Sequence, residues 1–291
     1  MIPVELLQKI RRIQVTTAKK ATDIFAGEYR SVFKGRGMEF AEVREYLPGD
    51  EIRSIDWNVT ARMGRPFIKK NIEERELTLM LLLDASRSNC FGSVKKIKRE
   101  LAAEVCAVLA ACATKNNDKV GLIIFTDRIE TYIPPRKGTP HVFKVIREAL
   151  YCKTEGRGTA IPLALEYLDR MTSKSTVTFL ISDFYADNIR KPLSVASKRH
   201  DVVAVHISDP RDRVMPDVGV VKLEDPEAGK SYFVDTSDKT IREIYRKEAA
   251  RKIEERKKIF YAVNIDRVDI STDRSYEDAL IQFFRQRKTR R

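Results

Sequence analysis

The feature that most constrains the fold is a run of apolar residues that ends abruptly at a carboxylate. Residues 77–83 are apolar except for Thr78, and Asp84 follows them directly. An apolar run without polar alternation is typical of a strand buried on both faces, as in sheets that helices cover on both sides. A carboxylate after such a strand lies at the carboxyl edge of the sheet, where open α/β folds bind ligands.

The rest of the chain alternates between strand-like and helix-like patterns. Strands are expected at 120–125, 130–133, 176–182, 202–207 and 268–270, helices near 94–114, 140–151, 160–171, 187–199, 241–260 and 275–286, and a hairpin over 218–223 and 231–234. This rhythm predicts an α/β fold, with a mostly parallel, Rossmann-like sheet and helices on both faces. The helix near 94–114 is apolar almost all round, so we expect it to be buried.

The N-terminal part lacks this rhythm, which predicts a mixed extension over residues 1–73 and a main domain over 74–291. In the extension, residues 4–20 have the apolar spacing of an amphipathic helix, and 39–46 are expected to form a strand. The segment Leu47-Pro48-Gly49-Asp50 predicts a turn. We expect Asp50 to cap a short helix through Ile52, Ile55 and Ala61, and Trp57 to anchor the packing there.

Composition favours a globular protein without membrane-spanning segments. Hydrophobic residues make up 43% and charged residues 33% of the chain. No apolar run approaches the roughly 20 residues that span a bilayer, and polar residues interrupt the N-terminal stretch where a signal peptide would lie. We therefore expect a cytoplasmic location.

The formal net charge is +13, and basic residues concentrate in 241–260 and 285–291. This charge suits nucleic acid, an acidic protein or peripheral contact with an anionic membrane surface, although a solvated basic face is the favoured interpretation.

Cysteine and histidine do not form a site in the sequence. The cysteines contain no Cys-x-x-Cys pair, and we interpret them as reduced, buried thiols. The histidines are scattered singly, which favours structural or surface roles and supports neither zinc binding nor histidine-based catalysis. These residues are Cys90, Cys106, Cys112, Cys152, His141, His200 and His206.

Oxygen-bearing side chains from three distant segments are expected to meet at one edge of the sheet. Asp84, Ser86 and Ser88 follow the first buried strand, Thr159 precedes a helix, and Asp183 ends another buried strand. The carboxyl ends of parallel strands and the starts of the following helices face the same edge. Five oxygen ligands, two of them carboxylates, predict a site for Mg²⁺ or Mn²⁺, and helix capping by the hydroxyls is the alternative.

The charge balance favours binding over catalysis. Two aspartates neutralise a divalent ion but leave it with few strong ligands, so a carboxylate from another molecule can complete its coordination. No histidine, lysine or third carboxylate lies nearby in the sequence to act as a general base. We therefore expect a binding site without catalytic residues, and not an enzyme.

Two resemblances agree with this interpretation. The set Asp84-Ala85-Ser86-Arg87-Ser88 with Thr159 and Asp183 resembles the metal-ion-dependent adhesion site of von Willebrand factor type A domains. Asn89 departs from that pattern, since many type A domains have methionine there. The segments GRGMEF, REYLPGD and DPRDRVMPDVGVVKLEDPEAG are similar to the "domain of unknown function fifty-eight" family, and this similarity covers nearly the whole chain.

The second resemblance implies a partner. Members of that family are commonly encoded beside MoxR-type AAA+ ATPases, which implies an adaptor or substrate-recruiting role in the maturation or remodelling of other proteins. Two alternatives stay open: a magnesium-dependent hydrolase of the phosphatase kind with Asp84 as nucleophile, and a basic nucleic-acid-binding protein.

Overall fold

The computed structural model describes residues 22–33, 43–50, 52, 55–69, 77–224 and 229–290. Helix α1 (Thr22–Phe33) begins this part of the chain. The chain divides into two compact units, residues 33–76 and a larger unit that combines the residues up to Val32 with residues 77–291. The helix predicted at 4–20 and residues 39–42 of the predicted strand lie outside the described residues.

The smaller unit contains β1 (Val43–Glu45), α2 (Trp57–Met63) and β2 (Phe67–Lys69), and the two strands pair antiparallel. The predicted turn is present, since the Asp50 N–H donates to the Leu47 carbonyl at 3.0 Å and Gly49 has φ of +110°.

Two expectations for this unit are wrong. Asp56, not Asp50, caps the helix, because it accepts the N–H groups of Asn58 and Val59 at 3.0 and 3.2 Å. Asp50 instead accepts two hydrogen bonds from Arg44, at 2.7 and 2.8 Å. Trp57 lies at the first position of α2 and is 68% exposed, so it anchors no packing.

The larger unit is a mixed α/β structure. In chain order its elements are β3 (Thr78–Asp84), α3 (Lys98–Lys115), β4 (Lys119–Phe125), β5 (Ile129–Arg136), α4 (Thr139–Tyr151), α5 (Ile161–Met171), β6 (Val177–Ser182), α6 (Arg190–Arg199), β7 (Asp201–Ser208), β8 (Val220–Glu224), β9 (Ser231–Asp235), α7 (Lys239–Ala262), β10 (Asp266–Ser271) and α8 (Tyr276–Thr289).

The central sheet has the strand order β10-β7-β6-β3-β4-β5. Its neighbouring strands pair in parallel except for β5, which runs antiparallel to β4 at one edge. The predicted mostly parallel sheet is therefore confirmed. Its parallel strands end in short polar side chains or lead directly into them, so that Asp84, Asp183, Asp209 and Ser271 lie along one carboxyl edge.

Successive residues of a strand point to opposite faces of the sheet, so an apolar strand such as β3 presents apolar side chains on both faces for helices to cover. Met80 and Leu82 of β3 lie in a core with residues of α5, α6 and the end of α7. Leu79, Leu81 and Leu83 are equally buried but point to the other face. Helix α3 contacts β3, β4 and β7 and is buried on almost every side, as predicted.

At the start of the larger unit, the ring of Tyr29 in α1 packs edge-on against Phe284 of α8, with 6.1 Å between the ring centroids. No helix in the described part of the chain combines the length and the apolar composition that crossing a bilayer requires.

Candidate functional site

The loop after β3 folds back tightly on its own first carboxylate. The N–H of Ser86 donates to Asp84 Oδ1 at 2.9 Å. The hydroxyl oxygens of Ser86 and Ser88 lie 3.0 Å apart, and a short 3₁₀ helix (Arg87–Cys90) follows. The Asn89 side-chain amide donates to the Asp84 carbonyl and to Ser86 Oγ, both at 3.3 Å. Asn89 therefore holds the loop closed.

Asp84 and Asp183 are brought together by the register of β3 and β6. Leu83 pairs with Ile181, so the next residue of each strand, Asp84 and Ser182, lie side by side, and the Ser182 hydroxyl donates to Asp84 Oδ2. Asp84 and Asp183 are both fully buried. Burial, followed by the negative charge of Asp183, raises the pKa of Asp84 from 3.8 to about 7.

A buried lysine, which the sequence analysis missed, completes the charged cluster. The ammonium of Lys98, at the start of α3, donates to Asp183 Oδ2 at 2.9 Å and lies 3.6 Å from Asp212 Oδ2. Burial alone would lower the Lys98 pKa, but the two carboxylates raise it overall, so Lys98 stays protonated and is not a general base.

The expectation that no lysine or third carboxylate lies near the site is wrong, since Lys98 contacts Asp183 and also lies close to Asp212. A usable signal was present in the sequence: Lys98 lies three and seven residues before Leu101 and Val105, on the buried stripe of the helix.

Thr159 lies in a loop that is held against the Ser86–Ser88 loop. The N–H of Arg87 donates to the Arg157 carbonyl at 3.1 Å, and the N–H of Ala160 donates to the Thr126 carbonyl, directly after β4, at 2.8 Å. Thr159 is half-buried between these two contacts. The structure thus brings the loops of all five predicted ligands to one edge of the sheet.

Gly156 permits this loop geometry. A Cβ at this position would lie 2.0 Å from Thr126 Oγ1 and 2.2 Å from Asp127 Oδ1, so a larger residue cannot fit without a shift. The Gly156 N–H instead donates to Glu130 Oε1 at 2.8 Å, which fixes the start of the loop.

The donor set suits a hard divalent cation. Two carboxylates and three hydroxyls offer oxygen only, which Mg²⁺ and Mn²⁺ prefer. Among the ion pairs of the described residues, none involves Asp84, although its carboxylate is fully buried. With Asp84 ionised, three aspartates and Lys98 sum to −2, and Arg256, which donates to the Asp183 carbonyl at 2.8 Å, reduces this to −1, so the cluster keeps a negative charge that a cation can balance.

The cluster is rich in hydroxyls rather than in the strongest ligands. In the described part of the chain, no group of three or more His, Cys, Asp or Glu side chains is arranged to hold a metal ion. A cation here would therefore depend on Ser86, Ser88 and Thr159 and would have room for a ligand from outside.

The cysteines and histidines lie elsewhere. All four cysteines are free and three are buried, but Cys90 is exposed, so the expectation of buried thiols is wrong for it. Each histidine has a structural partner: His141 and the Val120 carbonyl are 2.9 Å apart, His200 and Asp169 2.9 Å, and His206 and Asp269 3.2 Å.

Comparisons with known proteins show relatives along the whole chain. The uncharacterized proteins Mb1516 of Mycobacterium bovis and Rv1480 of Mycobacterium tuberculosis are each 28% identical over 289 residues, which cover 98% of this chain and 90% of theirs.

Two crystal structures are similar at lower identity. One is the conserved hypothetical protein BatB of Bacteroides thetaiotaomicron, which is 17% identical, with 73% of this chain and 99% of that chain covered and a TM-score of 0.48. The other is an aerotolerance-related membrane protein of Bacteroides fragilis, which is 18% identical, with coverages of 72% and 99% and a TM-score of 0.47.

A protein-family model also matches most of the chain. A model of the family described as "Protein of unknown function DUF58" matches residues 42–255, which include every residue of the candidate site. The chain is therefore a member of the DUF58 family.

Proposed function

We propose that this protein is a metal-dependent protein-binding module. Asp84, Ser86 and Ser88 would hold Mg²⁺ or Mn²⁺ directly, and Thr159 and Asp183 would complete the protein's share of the ligands. The observation that carries the proposal is the fully buried Asp84 carboxylate, whose pKa is raised to about 7 beside a second carboxylate and two serine hydroxyls. Such an arrangement costs folding free energy unless a cation balances it.

A bound divalent ion would act as a Lewis acid toward a carboxylate of another protein. The residues of this chain then have separable tasks. Asp84 supplies the negative charge, while Asn89 and the Ser86 N–H keep the loop in its closed shape. Lys98 orients Asp183 by a hydrogen bond of 2.9 Å and limits the excess negative charge.

Non-enzymatic binding remains part of this proposal. Lys98 stays protonated, and among the described residues its ion pairs join it to Asp183 and Asp212, with no histidine in these pairs. The phosphatase alternative requires a second aspartate where Ser86 lies. The nucleic-acid alternative rests on net charge alone.

The partner follows from the family resemblance. The resemblance implies a family whose members are commonly encoded beside MoxR-type AAA+ ATPases, and we therefore propose that such an ATPase or its client supplies the acidic residue. A cytoplasmic location is part of the same proposal.

Binding of Mn²⁺ to the purified chain, measured by electron paramagnetic resonance, tests this proposal. We expect Asp84→Ala to weaken Mn²⁺ binding by at least about 100-fold and Ser88→Ala by about tenfold, because ligand loss should cost at least as much as loss of a supporting group. Asp187→Ala is the matched control, since Asp187 is an exposed carboxylate four residues after Asp183. Equal Mn²⁺ binding by wild type and folded Asp84→Ala would disprove the metal site.

The partner is tested by co-purification of the tagged protein with the ATPase in Mg²⁺ and in chelator. Association that persists in chelator, or with Asp84→Ala, would separate the ATPase contact from the metal site.

A further inference from the structure

A groove adjoins the candidate site and has a different chemical character. Its cavity volume is about 840 Å³, within the range of ligand pockets, and it runs between the Ser88 loop, the β8–β9 hairpin and α7. The hairpin groove, as we name it, is lined by apolar side chains that include Phe91, Val218, Val221 and Leu223. Ser88 and Lys98 line it too, so it is continuous with the site.

The hairpin presents one apolar face to this groove. Val221 pairs with Val234 and Leu223 with Tyr232, so these four side chains project from the same face. Leu223 is 42% and Tyr232 is 56% exposed, which is high for apolar residues that lie side by side. Two strands alone are marginally stable in water, and this face therefore gains stability when another chain covers it.

The groove is lined by four basic side chains and three acidic ones. Arg87, Arg211 and Lys252 line it, and no ion pair of the described residues involves any of them. Of the lining acids, Asp212 interacts with Lys98 and Glu248 with Arg251 at 2.5 Å, which leaves Glu224.

Three basic side chains surround the ring of Tyr185, which also lines the groove. Lys98, Lys252 and Arg256 lie 5.6, 5.8 and 5.0 Å from the centre of its ring. An occupant of the groove is therefore expected to be acidic, and its contact with the hairpin to be apolar.

We propose that the hairpin groove binds an extended acidic segment of a partner protein, in which a large apolar side chain lies near the acid. The segment would place its carboxylate at the Ser86–Ser88 loop and its apolar side chain against Val221 and Leu223. The carboxylate contact rests on the function proposed above, whereas the apolar contact is argued only from the side chains that line the groove. The partner's recognition sequence would therefore contain an acidic residue close to an apolar one, and both would bind in the same groove.

A random short-peptide library displayed on phage, selected on the full chain in Mg²⁺, tests this proposal. We expect the selected peptides to contain Asp or Glu close to Leu, Ile or Phe. Leu223→Asp should weaken their binding by at least about tenfold, because it puts a charge into the apolar contact. Phe233→Asp is the matched control: Phe233 is 78% exposed and, paired with Lys222, projects from the opposite face of the same hairpin.

A second readout uses Cys90, the exposed cysteine, which lines the groove. A bound peptide should slow alkylation of this thiol in wild type and in Phe233→Asp, but not in Leu223→Asp. The rate of Cys90 alkylation thus distinguishes a peptide bound in the groove from one bound elsewhere on the basic surface.

Mn²⁺ binding by the same variants separates this proposal from the previous one. We expect Leu223→Asp to bind Mn²⁺ as wild type does while losing the peptides. If no peptide is enriched, if the selected peptides lack an acid, or if Leu223→Asp binds them unchanged, the groove proposal is overturned whatever the metal result. Displacement of the peptides by a single-stranded oligonucleotide with a steep salt dependence would also overturn it.

Discussion

At the scale of single residues, the candidate site lowers the stability of the folded protein. Asp84 is a fully buried carboxylate next to a second one, and its pKa is raised to about 7. Titratable side chains whose pKa is strongly shifted by burial and by a neighbouring charge are common at functional sites. The neighbouring Asp183 differs, because Lys98 holds it in an ion pair.

The raised pKa of Asp84 can be tested by comparing how the stabilities of wild type and Asp84→Asn depend on pH. Asp84 has a folded pKa of about 7 and an ordinary value of 3.8, so the folded state binds more protons between these pH values and loses stability as pH rises. Asn carries no charge at any pH. We therefore expect Asp84→Asn, in chelator, to raise the free energy of unfolding by about 4 kcal/mol above pH 7, at about 1.4 kcal/mol per pKa unit, and to give little gain near pH 4.

Urea denaturation at a series of pH values measures this difference. Asp187→Asn, at an exposed position, should show no comparable trend. A gain from Asp84→Asn that is constant across the pH range would contradict the raised pKa.

At the scale of elements, loops rather than strands position the hydroxyl ligands. The strand ends supply Asp84 and Asp183, but Thr159 depends on how the loop that begins at Gly156 passes the end of β4. In the smaller unit the helix begins later than the sequence predicted: α2 starts at Trp57, so Asp56 caps it and Asp50 pairs with Arg44 instead.

Gly156→Ala tests the role of this loop. The added Cβ would meet Thr126 and Asp127, so we expect a loss of about 1–3 kcal/mol in the free energy of unfolding, with weaker Mn²⁺ binding because Thr159 shifts. Gly27→Ala in α1 is the control: nothing lies within 4 Å of its added Cβ, and alanine should stabilise the helix by about 0.5–1 kcal/mol. Unchanged stability and Mn²⁺ binding in Gly156→Ala would show that this close contact does not position the loop.

At the scale of the whole molecule, the predicted site and the hairpin groove belong to one compact unit. All residues of both lie between positions 84 and 252, within the larger unit. Residues 33–76 form the other unit.

A shortened chain tests whether the site is self-contained. Replacing residues 34–76 by a flexible Gly/Ser linker keeps α1 and its buried Tyr29, and we expect Mn²⁺ affinity to stay within about twofold of wild type, since every residue of the candidate site belongs to the larger unit. Asp84→Ala in the shortened chain should abolish the remaining binding. Loss of Mn²⁺ binding in a shortened chain that still unfolds cooperatively would show that the smaller unit takes part in the site.

The sequence by itself determined the order of helices and strands, the mostly parallel sheet and the edge at which Asp84 and Asp183 meet. These features follow from local periodicity and from strand ends, which are readable within a few residues. The tertiary structure alone decided that Lys98 pairs with Asp183, 85 residues away, that β5 runs antiparallel, and that the hairpin borders a groove beside Ser88. Such contacts join segments that are distant along the chain, and their geometry depends on how whole elements pack rather than on any local pattern.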